Sequence, residues 1–198
     1  MLQDEELLNA IDVVGSHYTS WASDNAKKLA DEYGKELWFS EGSSAMEYAK
    51  GTCNYTESGS GMSEINGALD IANRFITMYA GGYMTLYEYQ PVIASYYDGA
   101  TYCQKQMILA NEPWSGYYEL DTGFYTSLHF SQFIDKGWAM VEDACYGDGK
   151  AGGDGHAIVD ATYSYMTAMN TANGDYSSVI TNTTSEAIRY DVTIKNTD

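Results

Sequence analysis

The sequence predicts an α/β segment built on parallel strands, followed by an antiparallel β segment. Three observations predict it. Short β-branched or aromatic runs alternate with helical stretches over residues 11–134. From about Trp138 onward proline is absent, glycine-rich turns appear at 148–155 and 173–175, and apolar residues alternate with polar ones. The 198 residues are 44% hydrophobic, enough for a packed core and too many for wholesale disorder.

The elements follow in order. Residues 11–15, IDVVG, form a β-branched apolar run ending in glycine, the pattern of a buried parallel strand. A helix is expected over Ser23–Tyr33: Ser23 caps it, Ala26, Leu29, Ala30 and Tyr33 share a face, and Gly34 stops it. ELWFSEG (36–42) is a second short buried strand with a polar end. Beyond a Gly/Ser-rich loop at 51–61, Met62, Ile65, Leu69, Ala72, Ile76 and Tyr79 recur at alternating steps of three and four. That spacing gives one apolar helix face, ending at Gly81-Gly82. YMTLYEY (83–89) is a third strand and 124–134 a further helix. HAIVDATYSYM and AIRYDVTI read as antiparallel strands of a second domain.

A boundary near 137 divides these segments into 1–137 and 138–198. The first part holds about three strand–helix units, whereas a closed (β/α)8 barrel has eight over roughly 250 residues. A small open α/β domain is one solution. The C-terminal part of a TIM barrel followed by an incomplete antiparallel β-sandwich fits better. By itself such a third of a barrel exposes apolar strand edges, so the isolated polypeptide is expected to fold poorly and be inactive.

Composition excludes several functions. A net charge of −18 leaves no basic stripe to replace phosphate counterions, which argues against nucleic acid and against anionic membrane surfaces. No run reaches the ~18 apolar residues of a membrane span, so stable membrane insertion is not expected. The first residues, MLQDEELLNA, are acidic and unlike a signal peptide. Cys53, Cys103 and Cys145 match no CxxC spacing and read as buried thiols. His129 and His156 are too scattered for a metal centre, and GDGKAGGDGH (147–156) departs from the EF-hand pattern. No metal and no cofactor is expected. A G-x-S-x-G elbow is absent, and Asn54 and Asn182 open glycosylation sequons. Nineteen tyrosines suit sugar stacking as well as sheet formation.

Two glutamates carry the candidate chemistry. Glu41 closes an apolar strand and is followed by Gly42 and Ser43-Ser44, where a barrel enzyme places its catalytic groups. A carboxylate there suits a glycosidase nucleophile or, more plainly, a solvated loop. Glu112 lies in Asn111-Glu112-Pro113, a triplet that carries the acid/base in many barrel glycosidases. His17, after VVGS, either lines the same cleft or is a structural histidine.

IDVVGSHY, LWFSEGSS, GGYMTLYEYQPVIASYY, NEPWSGYY and SLHFSQFIDKGW occur in the order and near-spacing of glycoside hydrolase family 59, the galactocerebrosidase family. The likeness covers roughly residues 8–140 and continues more weakly to Arg189; EPWSGYY followed by HFSQF and GW is its most specific part. The resemblance implies a retaining β-galactosidase acting on β-galactosides or galactolipids such as galactosylceramide, with a TIM barrel followed by a β-sandwich. It also implies a secreted or lysosomal-type setting. By the resemblance Glu41 is the nucleophile, and Ser44, Tyr102 and Arg189 approach the sugar. EPWSGYY is expected to form a structured loop beside the cleft, with Trp114 and Tyr117 as wall or packing and Trp114 a candidate substrate contact. The chain departs from the family at Gly42, where an aspartate is usual, and at Gln90, where a sugar-stacking tryptophan is usual. Proline is also missing from the loop at Ala100-Thr101.

Chain order then demotes Glu112. In related barrels the acid/base lies on strand four and the nucleophile on strand seven, so the acid precedes Glu41. Only Glu5, Glu6, Glu32 and Glu36, with Asp4, Asp12, Asp24 and Asp31, do so, and none follows an Asn at a buried strand end. The proton donor is therefore expected outside these residues. A non-catalytic carbohydrate-binding protein is the alternative from another class, and a structural β-domain with a barrel remnant is a third.

Overall fold

The computed structural model describes residues 2–18, 22–43, 50–52, 65–95, 99, 101–103, 105–147 and 161–195. Ser44, Cys53, Asn54, His156 and the 148–155 loop lie outside them.

The short helix α1 (Glu5–Ala10) is capped by the Asp4 carboxylate, which accepts the Leu7 N–H at 3.0 Å. It leads into β1 (Val13–His17), two residues later than the sequence suggests. α2 (Asp24–Tyr33) begins as expected, with the Ser23 hydroxyl accepting the Ala26 N–H at 3.2 Å. It ends at Gly34, whose φ of +61° is the left-handed turn that glycine enters without a Cβ penalty. β2 (Glu36–Gly42) follows, then β3 (Lys50–Thr52), α3 (Ile65–Ala80) and β4 (Met84–Tyr89).

β1, β2 and β4 make one parallel sheet with β2 in the centre, each crossover passing through α2 or α3. The strands lie side by side in chain order. That succession is the one a stretch of barrel wall shows. Leu37, Phe39, Met78 and Met84 form the layer between the sheet and its helices, with Val14, Ala26 and Ala30 packed around them. β1 was expected to be buried on both faces, yet it is only partly covered. Its outer side has no neighbouring strand among the described residues.

Small elements absent from the sequence expectation lie beyond β4. β5 (Ile93–Ala94), β7 (Ile108–Leu109) and β8 (Glu119–Leu120) form a three-stranded patch, and β6 (Thr101–Cys103) pairs antiparallel with β3. Two- and three-residue strands leave too short a pattern to read. α4 (Thr122–Ser131), somewhat earlier than 124–134, packs on α3.

After residue 137 the chain is antiparallel, as expected. β9 (Ala139–Met140), β10 (Tyr146–Gly147), β11 (Tyr163–Met169) and β12 (Tyr176–Asn182) form one sheet, the last two joined by the turn at 170–175. Residues 187–194 form no strand, contrary to their alternation. Val192 and Ile194 are exposed and find no surface to bury against, so period-two patterning alone does not pair them.

α3 buries the later part of the expected apolar face, Leu69 to Tyr79, while Ile65 is exposed and Met62 lies outside the described residues; it is buried on its other side too. Eleven of its sixteen residues are buried, Asp70, Asn73 and Arg74 among them. The antiparallel sheet covers Asn73 on that side. Asn73 Oδ1 accepts hydrogen bonds from the Ser164 and Thr181 hydroxyls, each at 2.6 Å. Arg74 and Asp70, one turn apart and both buried, pair at 3.4 Å. Ile71, Phe75 and Ile76 pack with Met107, Phe130 and Met166, so one core joins α3, α4 and β11.

Burial pushes the phenols of Tyr79 and Tyr87 above the usual tyrosine range. Their neutral forms are held in the fold, so this stability is fully present below pH ~10 and is lost as pH rises above it. Urea midpoints measured from pH 8 to 11 are expected to fall above pH ~10, and Tyr87→Phe to reduce that slope. A slope unchanged by Tyr87→Phe would refute the assignment.

Candidate active site

The carboxyl ends of β1, β2 and β4 meet at one rim. There His17 stands opposite Glu41, and Gly42 stands opposite Tyr89. The pairing is not a plain ladder. Ser16 faces Phe39 and His17 faces Glu41, so Ser40 is an extra residue on β2, a bulge.

The bulge decides where Glu41 points. Strict alternation from Phe39 would turn Glu41 toward the helices and Gly42 away. A Cβ built on Gly42 falls on the Phe39 ring, so Gly42 lies on the helix side instead. Glu41 is thereby turned to the open side of the sheet, where its side chain keeps 39% exposure. Its Oε2 lies 3.6 Å from His17 Nδ1, and the His17 side chain is 59% exposed. A carboxylate buried among Leu37 and Met78 would lose its solvation; here the strand end stays solvated and reachable.

The backbone around Glu41 is pinned on both flanks. The Tyr18 N–H donates to the Glu41 carbonyl at 3.2 Å, and the Gln90 N–H donates to that of Gly42 at 2.8 Å. Beneath them the Phe39 and Tyr87 rings stack with centroids 4.3 Å apart, and Phe75 tilts against Tyr87. The Tyr87 hydroxyl donates to the Ser43 carbonyl at 3.4 Å, and Ser43 is fully buried. Phe39 fills the place where a side chain at position 42 would start. Gly42→Ala is accordingly expected to cost about 1–3 kcal/mol through overpacking, read as a lower urea midpoint. Phe39→Ala in the same chain should relieve the clash, and a Gly42→Ala midpoint equal to the parent's would contradict it.

The other residues singled out in the sequence are placed less fully. Trp114 sits in a short 3-10 helix (Pro113–Ser115) and is 75% exposed. The Arg189 side chain, 85% exposed, pairs with Asp191 at 2.7 Å. Tyr102 lies in β6, its side chain outside the described residues, as Ser44 is altogether. Glu112 precedes the 3-10 turn on an exposed loop and makes no side-chain cap. The described strands after it are antiparallel, so among the described residues no further barrel unit follows. The Cys145 thiol is half-buried and raised by burial. Among the described residues no cluster of His, Cys, Asp or Glu could hold a metal ion, and no helix is long and apolar enough to cross a membrane.

Sequence reasoning missed the bulge and its consequence. The one local signal was the glycine after Glu41, which reads as a permissive turn until the Phe39 ring is seen against it. The Tyr87 support lies 46 residues from Glu41 in the chain and leaves no local trace.

Similarity to known proteins agrees with this architecture. The galactocerebrosidase of Homo sapiens is 31% identical over 180 residues, covering 91% of this chain and 23% of its own length. That of Canis lupus familiaris is 32% identical over 160 residues, covering 81% of this chain and 21% of its own. The chain thus spans under a quarter of these relatives. In fold it resembles the catalytic domain of GH30 xylanase C from Talaromyces cellulolyticus, with a TM-score of 0.57 at 12% identity, over 90% of this chain and 34% of that one. Residues 1–132 match the model of glycosyl hydrolase family 59. The sheet with Glu41 at its rim lies within that match, and the chain belongs to glycosyl hydrolase family 59.

Proposed function

We propose that the chain carries the nucleophile half of a retaining β-galactosidase site, with Glu41 as nucleophile. The observation behind this reading is the bulge that turns Glu41 to the open rim of the parallel sheet, beside His17. With Oε2 facing His17, Oε1 is the oxygen left to attack the anomeric carbon. A C1–O bond forms to Glu41 as the C1–O bond to the aglycone breaks, and the leaving oxygen takes a proton from a second carboxyl. That group, now a base, takes a proton from water; the water oxygen displaces Glu41 and restores the β configuration. Retention requires the two carboxyls about 5–5.5 Å apart. We assign the second to a strand other than β1, β2 and β4, earlier in a longer polypeptide. No metal or organic cofactor enters these steps.

Ser44, Tyr102, Arg189 and Trp114 are proposed sugar contacts, and galactosylceramide-like galactolipids the substrate class. The named relatives are galactocerebrosidases, and the residues around Glu41 are where this chain resembles them. Glutamine at position 90 and glycine at 42 alter the cleft wall, so aglycone preference is the property most expected to differ.

The direct test separates the nucleophile from the acid. A 2-deoxy-2-fluoro-β-galactosyl fluoride loses its anomeric fluoride without proton assistance and leaves a slow glycosyl-enzyme. Incubation followed by peptide mapping is expected to place the label on Glu41. A label on another carboxylate, or binding with no label at any concentration, would overturn the reading and favour a non-catalytic carbohydrate-binding protein.

A further inference from the structure

We propose that Asn182 accepts an N-linked glycan whose first sugar lies along an apolar groove beside it. The inference needs no chemistry at Glu41. It needs only passage of the chain through a compartment where Asn-x-Ser/Thr sequons are modified. Asn182-Thr183-Thr184 meets that rule, with proline neither between nor after. Asn182 ends β12, the edge strand of the antiparallel sheet, and is half-buried.

The acceptor amide is held in one orientation. Its Oδ1 accepts the Thr184 N–H at 2.9 Å and the Thr184 hydroxyl at 2.7 Å, an Asx turn closed within the sequon. Nδ2 carries two hydrogens and donates one to the Glu186 carbonyl at 2.8 Å. A sugar replaces the other. The donor is a polyprenyl-diphosphate-linked oligosaccharide. The Nδ2–C1 bond forms as the C1–O bond to the diphosphate breaks, and Nδ2 releases its proton to a base of the transferring enzyme. The glycosylated amide keeps one N–H, so the bond to Glu186 survives the modification.

The groove supplies a place for the sugar. It holds about 500 Å3 between α3, α4 and β12, and Asn182 lines it together with Ile65, Tyr125, Phe133 and Ile180. All four of those side chains are exposed, two of them aromatic. Exposed apolar side chains gathered in one place mark a surface that something covers. An N-acetylhexosamine joined to Asn182 sets its C–H face and acetyl methyl against Tyr125 and Phe133 and turns its hydroxyls to water. The covalent tether makes that contact intramolecular, at an effective concentration of about 1 mM or more. A groove too shallow to hold a free sugar suffices for a tethered one.

The full chain, sent through the secretory pathway of a eukaryotic cell behind a cleavable leader, tests both halves. Glycan release by peptide N-glycosidase in heavy-oxygen water converts each modified asparagine to a labelled aspartate, read by peptide mapping of all the product, secreted or retained. The label is expected at Asn182, kept in Thr184→Ser and lost in Thr184→Ala. No label there, or a label at Asn54 alone, would overturn the acceptor. The rate of glycan release tests the groove. At Asn182 release is expected at least about tenfold slower from the native chain than after denaturation, and Phe133→Ser should recover most of that rate. Equal rates in the two states, or a slow native rate untouched by Phe133→Ser, would overturn the groove contact.

Discussion

Glu41→Gln is expected to reduce turnover of an aryl β-galactoside by at least about 10³-fold, or roughly 4 kcal/mol of transition-state stabilisation. The amide is nearly isosteric, so the bulge, the Tyr18 N–H bond and the Phe39 stack should survive. The change removes the negative charge and the nucleophilic oxygen together. Any polypeptide that contains this chain and turns over the galactoside is suitable, with KM and kcat measured apart. A loss confined to kcat, with the galactosyl fluoride label also gone, marks the covalent step. A loss confined to KM would make Glu41 a binding group only. Azide offers a further check. In Glu41→Ala a small anion can enter the vacated space and attack C1 from the face Glu41 used, inverting it to an α-galactosyl azide. Full activity in Glu41→Gln would end the assignment.

The second large effect concerns stability. Arg74→Met leaves the Asp70 carboxylate buried without its pair, and removing one partner of a buried ion pair typically costs about 3–5 kcal/mol. For a chain of this size that corresponds to a melting temperature lower by roughly 6–20 °C. The double variant Asp70→Leu/Arg74→Met should recover most of the loss, because it removes the stranded charge as well as the pair. Thermal melts followed by circular dichroism distinguish the cases. If single and double variants melt together, the cost lies in packing around α3 and the ion-pair argument fails.

Features written in neighbouring residues were legible in advance. Ser23 and Gly34 bracket α2, ELWFSEG occupies β2 residue for residue, and the three–four spacing marks α3 to within a residue at its C-terminal end. Each of these is a local rule of capping or periodicity. What escaped reading was set by distant partners. Asn73 falls off the apolar stripe of α3, yet Ser164 and Thr181 arrive about a hundred residues later to bury it. The bulge at Ser40 depends on how β1 registers against β2, which neither strand encodes alone. AIRYDVTI alternates well and still forms no strand, because alternation supplies a face and not a partner. Among the site residues, Glu41 was legible from its place after an apolar run. The orientation that makes it reachable was not.

The hydrogen bonds from Ser164 and Thr181 to Asn73 also bear on recombination. A chimaera cut near residue 137, exchanging only the C-terminal sheet with that of a relative, would hand Asn73 a foreign surface. Its carbonyl oxygen would be left without donors wherever that relative lacks hydroxyls at positions 164 and 181. Breakpoints that keep α3 together with β11 and β12 conserve the triad, so the exchangeable module is discontinuous in sequence. Gene shuffling within this family should return functional progeny when residues 65–80 and 161–182 share a parent, and seldom otherwise.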